Sequence, residues 1–193
     1  MESEMDIQSL PKEALFSLLL QIEPEEIKTV CFSKNKKVQE ICNSTYFRET
    51  YKEKYRQVDF YDRKDLTEED FKSLIGRYSV DLSWTNVTDE DLKYLKGVSI
   101  IHLAGTKVTD DGMKYLSGAS DISLSWTQVT DEGLKYLSGV SRINLRDTKV
   151  TDEGMKYLSG VHTIFLWDTQ VTDVGVNYLR ATGTENIHEP DED

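Results

Sequence analysis

From Leu66 onward the apolar positions recur every 21 residues. Successive units open at Leu66, Val87, Val108, Val129, Val150 and Val171; five are complete, and the sixth begins VTDVGVNYL and then degrades. A period in the range ~20–29 predicts a solenoid of stacked short units. In the unit VTDEGLKYLSGVSRINLRDTK (129–149), Ile143 and Leu145 alternate with exposed positions and predict a short strand with one face inward. Thr148, like Thr106, Thr127 and Thr169, sits where the chain must turn away from that strand, and its hydroxyl can hydrogen-bond the backbone there. The first half of the unit predicts a short helix. Thr130 or Asp131 is its N-cap, Glu132 lies in its first turn, and Leu134 and Leu137 share an inward face. Gly139 falls where a left-handed C-cap is wanted. Gly133 is an awkward helix residue and points to close packing between units. The pairs Glu69/Lys72, Glu90/Lys93, Glu132/Lys135 and Glu153/Lys156 read as a solvated face. Tyr94, Tyr115, Tyr136, Tyr157 and Tyr178 read as a ladder packing neighbouring units.

The pattern before Leu66 is different. Residues 1–9 form an acidic tail, and residues 10–51 a small helical module. Pro11 suits a first helical turn, and Leu15, Leu18, Leu19 and Ile22 fall on one helical stripe. Pro24 breaks that helix and opens a second, Glu25 to Phe32, with Ile27, Val30 and Cys31 inward. A third stripe runs through Val38, Ile41 and Cys42, then beyond a break at Asn43-Ser44 to Phe47 and Tyr51. Three short helices in about 45 residues are marginal alone and call for a partner or neighbouring domain. Residues 52–65 join the parts, with Val58 and Phe60 forming an edge strand that caps the first repeat. The repeats occupy 66–180, and 181–193 is an acidic tail expected to be disordered.

Variation between units is concentrated around the strand. The positions flanking its inward residues read Ser79, Asp81, Ser83; Ile100, His102, Ala104; Asp121, Ser123, Ser125; Arg142, Asn144, Arg146; Thr163, Phe165, Trp167. Strand alternation points these away from the core. A copied frame with a diversified surface is the pattern of a recognition face, and arginine and aromatics are favoured at interface hot spots. The expected target-binding residues are Asp81, His102, Asp121, Ser123, Arg142, Asn144, Arg146, Phe165 and Trp167. Trp84 and Trp126 lie one position further on, at the strand edge.

Charge changes the picture modestly. The chain carries 35 acids against 23 Lys+Arg, net −12, which disfavours nucleic acid or an anionic membrane as partner. Most of the excess is the acids recopied at each helix start. No apolar run approaches the ~20 residues of a membrane span. The two cysteines, Cys31 and Cys42, form no CxxC and read as reduced core residues of an intracellular protein. His102, His162 and His188 match no zinc spacing, and no phosphate-binding glycine loop is present. No catalytic residue, metal or cofactor is expected.

Two resemblances sharpen these expectations. Val140, Ile143, Leu145 and Thr148 are similar to the leucine-rich repeat, LxxLxLxxN/CxL, with Thr in place of Asn or Cys. This implies an α/β solenoid, parallel strands on the concave side and short helices on the convex side. Leu10-Pro11 with Glu13, then Glu26-Ile27, Val30-Cys31 and Tyr46-Phe47, resembles the F-box, in the variant form abundant in large DNA viruses of protists. The usual Trp is replaced by the stretch Asn35-Lys36-Lys37. This resemblance implies a three-helix module binding a Skp-type adaptor and through it a cullin, by way of Leu10, Pro11, Leu15, Leu18, Leu19, Ile27, Val30 and Phe47. The concave face would then hold an unknown target protein for a ubiquitin ligase, and the chain would be a monomer within a hetero-complex. The implied location is cytoplasmic (host cytoplasm if viral), with the nucleus also open.

Overall fold

The computed structural model describes residues 10–22, 30, 36–44, 47, 49–51 and 57–189. They fall into two compact units, 1–56 and 57–193.

The first unit contains helices α1 (Lys12–Leu19) and α2 (Lys36–Asn43). Leu15, Leu19, Val38, Ile41, Cys42 and Phe47 form its core. Phe16 meets Phe47 edge to face at 5.4 Å, and the Tyr51 hydroxyl donates to the Ile22 carbonyl at 2.8 Å. Ser44 restarts the chain after α2, its Oγ accepting from the Phe47 amide. The expected second helix, Glu25–Phe32, lies outside the described residues apart from Val30. Cys42 is buried as expected, but it is disulfide-bonded. The expectation of a reduced thiol is therefore corrected at this position; Cys31 lies outside the described residues.

The second unit carries seven parallel strands in sequential order: β1 (Val58–Asp59), β2 (Ser79–Asp81), β3 (Ile100–His102), β4 (Asp121–Ser123), β5 (Arg142–Asn144), β6 (Thr163–Phe165) and β7 (Asn186–His188). Val80, Ile101, Ile122, Ile143 and Ile164 pair in register, one per repeat. Leu82, Leu103, Leu124, Leu145 and Leu166 form the next layer of a core that runs unbroken from Phe71 to Leu179. Each such side chain stabilises the fold by ~1.5–3 kcal/mol, and each is buried only because a neighbouring unit covers it.

The turn threonines do what their position suggested. Thr85, Thr106, Thr127, Thr148 and Thr169 donate to the carbonyls of Leu82, Leu103, Leu124, Leu145 and Leu166 at 2.6–2.8 Å. Gly139 has φ of 90°, as a left-handed C-cap requires. The helical segments are short. Some are single α-turns, such as Asp131–Leu134; Asp91–Leu95 and Asp152–Leu158 are 3₁₀. Among the expected i, i+3 ion pairs, Glu69–Lys72, Glu132–Lys135 and Glu153–Lys156 form. Lys93 instead lies over the Tyr94 ring, 4.9 Å from its centroid.

Adjacent repeats are stapled by a carboxylate. Asp110 Oδ1 accepts from the Thr130 amide at 2.8 Å and Oδ2 from the Thr130 hydroxyl at 2.7 Å. Asp110 Oδ1 also accepts from the Gly133 amide at 3.1 Å. Asp89 with Thr109, Asp131 with Thr151 and Asp152 with Thr172 repeat the geometry. Each carboxylate thereby accepts from the threonine amide that opens the next helical turn. Gly133 is required because a Cβ there would meet Asp110 Oδ1 at 2.6 Å. For Asp152, burial raises the carboxyl pKa, but donation from the Thr172 amide and hydroxyl and from the Gly175 amide outweighs it, and the pKa is lowered.

Two segments differ from expectation. The seventh strand, Asn186–His188, lies inside the tail expected to be disordered; Ile187 pairs with Ile164. The register shift is 23 residues, because the last helix, Asp173–Ala181, runs to nine residues. The edge strand β1 forms as expected and pairs with β2.

Candidate functional site

With Ile101, Ile122, Ile143 and Ile164 in the core, their strand neighbours project from the opposite, open face of the sheet. In-register pairing aligns these residues in rows across the repeats. One row reads Asp59, Asp81, His102, Ser123, Asn144, Phe165, His188. The row before it includes Asp121 and Arg142. All nine residues expected on this face, Asp81, His102, Asp121, Ser123, Arg142, Asn144, Arg146, Phe165 and Trp167, lie there. Ser79, Ser83 and Ser125 differ: they are buried, as short side chains between larger neighbours.

The first half of the face is a charge cluster. His102 Nδ1 lies 3.6 Å from Asp81 Oδ2, and Arg142 Nε lies 3.8 Å from Asp121 Oδ2. The Asp81 carboxylate raises the His102 pKa against the effect of burial and of Arg142. Burial raises Asp81 in turn, but His102 and donation from Ser83 bring it below its ordinary value. At Asp121 burial wins over Arg142 and His102, and its pKa is raised.

The second half is aromatic. The Arg142 guanidinium stacks over Phe165 at 5.0 Å, and Phe165 stacks on His188 at 4.3 Å with rings 6° apart. Trp167 closes the group, 5.3 Å from Phe165 and 5.7 Å from His188. His188 was assigned to the tail. Its signal was present: Asn186-Ile187-His188 repeats the polar–apolar–polar order of Arg142-Ile143-Asn144, displaced by two residues.

A further row lines the rim where the strands turn: Asp62, Trp84, Gly105, Trp126, Asp147 and Asp168. All six have φ of 54–65°. The amides of the first five continue the ladder into the next repeat, as from Trp84 to Ala104 and from Trp126 to Arg146. Glycine and aspartate suit this left-handed conformation; a bulky tryptophan adopts it at a cost of ~1 kcal/mol or more. The Trp84 and Trp126 rings nevertheless approach to 5.8 Å and are 39% and 44% exposed. Trp84 lies directly over Gly105, where any Cβ would overlap its ring. Arg146 stacks over Trp126 at 5.1 Å and pairs with Asp147 at 3.2 Å and Asp168 at 3.4 Å.

In the helical module, the expected adaptor residues divide. Leu15, Leu19 and Phe47 are each 3% exposed and serve the module's own core, so their side chains are not surface contacts. Pro11 and Leu18 are exposed, and Leu10 and Val30 half-buried; Ile27 lies outside the described residues. A groove between α1 and α2 is lined by Phe16, Ser17, Ile41 and Ser44, with the Lys12–Glu40 pair closed at 2.7 Å along it. Among the described residues no group of His, Cys, Asp and Glu is placed to hold a metal, and no helix is long and apolar enough to cross a membrane.

The parallel strand-and-turn units define the class: the second unit is a leucine-rich-repeat α/β solenoid. Residues 79–96, 121–138 and 140–159 match the family model described as Leucine Rich repeat. Among solved structures, an internalin (inlF) from Listeria monocytogenes is similar at 13% identity with a TM-score of 0.51. The likeness covers 77% of this chain and 52% of the internalin, so the chain spans about half that protein's length. An internalin C2 (inlC2) from the same organism is similar at 16% identity and a TM-score of 0.46, covering 69% of this chain and 80% of that one. The likeness to the first is one of fold alone. No curated protein matches the sequence.

Proposed function

We propose that the chain is a non-catalytic substrate-recognition subunit of a Skp–cullin–F-box ubiquitin ligase. The module at residues 10–51 binds the Skp adaptor, and the open sheet face binds the target protein. The observation that carries the second half is the face itself: side chains that vary from repeat to repeat lie on one surface above a frame that barely varies. The F-box resemblance supports the first half, with Pro11 and Leu18 exposed on α1 and its approach. The mechanism is proximity: tethering a target beside the ligase raises its effective concentration without chemistry by this chain.

The test is size-exclusion chromatography of the full chain mixed with a Skp adaptor. Co-elution is expected; separate elution of two folded partners sinks the ligase reading. Replacing Arg142, Arg146 and Trp167 together is expected to leave adaptor binding intact and to abolish target capture. A second reading is a stand-alone binding module, or a decoy that sequesters the adaptor. It is favoured by the burial of Leu15, Leu19 and Phe47, which leaves the module fewer apolar contacts to offer.

A further inference from the structure

The rim row combines three features that packing does not require. Two of its six members are tryptophans in a backbone conformation that suits the glycine and aspartates of the other four. Both rings are exposed and adjacent, with Gly105 between them making room. Replacing either ring by Asn or Asp would relieve the backbone, so the rings answer a demand other than folding.

Charge says what that demand is. Three of the six rim residues are aspartates, and among the described residues Lys64 and Arg146 alone pair with them. On the adjoining strands Asp81 pairs with His102 and Asp121 with Arg142. The three rim carboxylates thus meet two cations, which leaves the rim net negative. The Arg146 guanidinium, stacked on Trp126 at 5.1 Å and paired with Asp147 and Asp168, shows which group these rings and aspartates take together. We propose that this rim is a docking strip for an extended, arginine- or lysine-bearing segment of a partner protein. Its cationic side chains would lie over Trp84 and Trp126 and against the rim aspartates. The proposal rests on the reading that the open face binds a protein, and it names that partner's chemistry. Six rows at the ~4.8 Å spacing of parallel strands span ~24 Å, which matches about seven extended residues.

The test uses fluorescein-labelled eight-residue peptides alternating Ser with Arg, with norleucine or with Glu, titrated into the full chain by anisotropy. The variants are Trp84→Asn with Trp126→Asn, and Trp84→Phe with Trp126→Phe. Asn tolerates the left-handed conformation and adds no charge. The Arg peptide is expected to bind at least tenfold tighter than the other two and to weaken with salt. The Asn pair should lose that binding tenfold or more while its melting temperature holds or rises; the Phe pair should keep most of it. Three results overturn the proposal. Equal or tighter binding of the norleucine or Glu peptide assigns the rim to an apolar or acidic partner and leaves the binding-face reading standing. A lower melting temperature in the Asn pair makes the tryptophans structural. No binding of any peptide removes the strip, and target capture by the Arg142/Arg146/Trp167 variant then judges the wider reading separately.

Discussion

The junction between the first and second repeats and the four that follow are built from nearly the same sequence, yet they close differently. In the later four, an Asp in the third position of one unit reaches the Thr of the next, and at two of them, Asp110 and Asp152, the Gly as well. At the first junction the third position is Glu68 and the glycine position is Asp91. There Thr88 turns to its own repeat, its amide and hydroxyl donating to Asp91 Oδ2 at 3.0 and 2.8 Å. Glu68 accepts instead from the Tyr94 hydroxyl at 3.1 Å, and Phe71 stacks with Tyr94 at 6.2 Å. One methylene at residue 68 and one carboxylate side chain at residue 91 thus convert a bond between units into a cap within one. The two changes go together. A glycine without the preceding Asp leaves the threonine amide without its acceptor, and an Asp facing a Cβ has no room. The later junctions are held by charged acceptors with two or three donors, the first by apolar stacking and an exposed hydrogen bond.

The largest effect should come from breaking a stapled junction. At an ordinary helical position Gly→Ala stabilises by ~1 kcal/mol. Gly133→Ala should instead destabilise by ~2 kcal/mol, since its Cβ overlaps Asp110 Oδ1. Urea unfolding measures it, and a stabilised variant would mean the close approach is unimportant. A smaller effect should come from converting the first junction. Glu68→Asp with Asp91→Gly moves the two Thr88 hydrogen bonds from residue 91 to residue 68 and gives up Glu68–Tyr94, so stability should change by no more than ~1 kcal/mol. Hydrogen exchange at the Thr88 amide should quicken in Asp91→Gly alone and be restored in the double variant. The smallest effect is the acid response. Asp152 has a folded pKa below its unfolded value, so its contribution is present in full above the ordinary carboxylate pKa of ~4 and fades as pH falls through the folded value. The stability difference between the wild type and Asp152→Asn should therefore be greatest near neutrality and vanish in acid, as read by melting temperature against pH.

Much of this frame is legible in the sequence because it is periodic. Ile143, Leu145, Thr148 and Gly139 declare their roles by recurring at fixed offsets, and the open-face positions declare theirs by failing to recur. What was not legible depends on contacts between repeats or on backbone angles. Asp131 reads as a helix cap within its own unit, whereas its carboxylate serves Thr151, 20 residues on. Trp84 and Trp126 read as strand-edge residues, since nothing in a 21-residue period reveals a φ of 55–61°. The third rim position, Gly105, gave the one hint. His188 was lost to a two-residue shift, and the buried module residues Leu15, Leu19 and Phe47 to a stripe that marks a helix's apolar side without saying what covers it.

The staple has a direction. The units opening at Val108, Val129 and Val150 each hand a carboxylate forward and receive one from behind, and none of the three carries a mark of its rank. Excising residues 129–149 as a block would bring Asp110 to Thr151 and Gly154, partners equivalent to those it has now. Array length is therefore an inheritable variable, adjustable in whole steps by duplication or loss, while each added step brings a fresh strand of face to be rewritten.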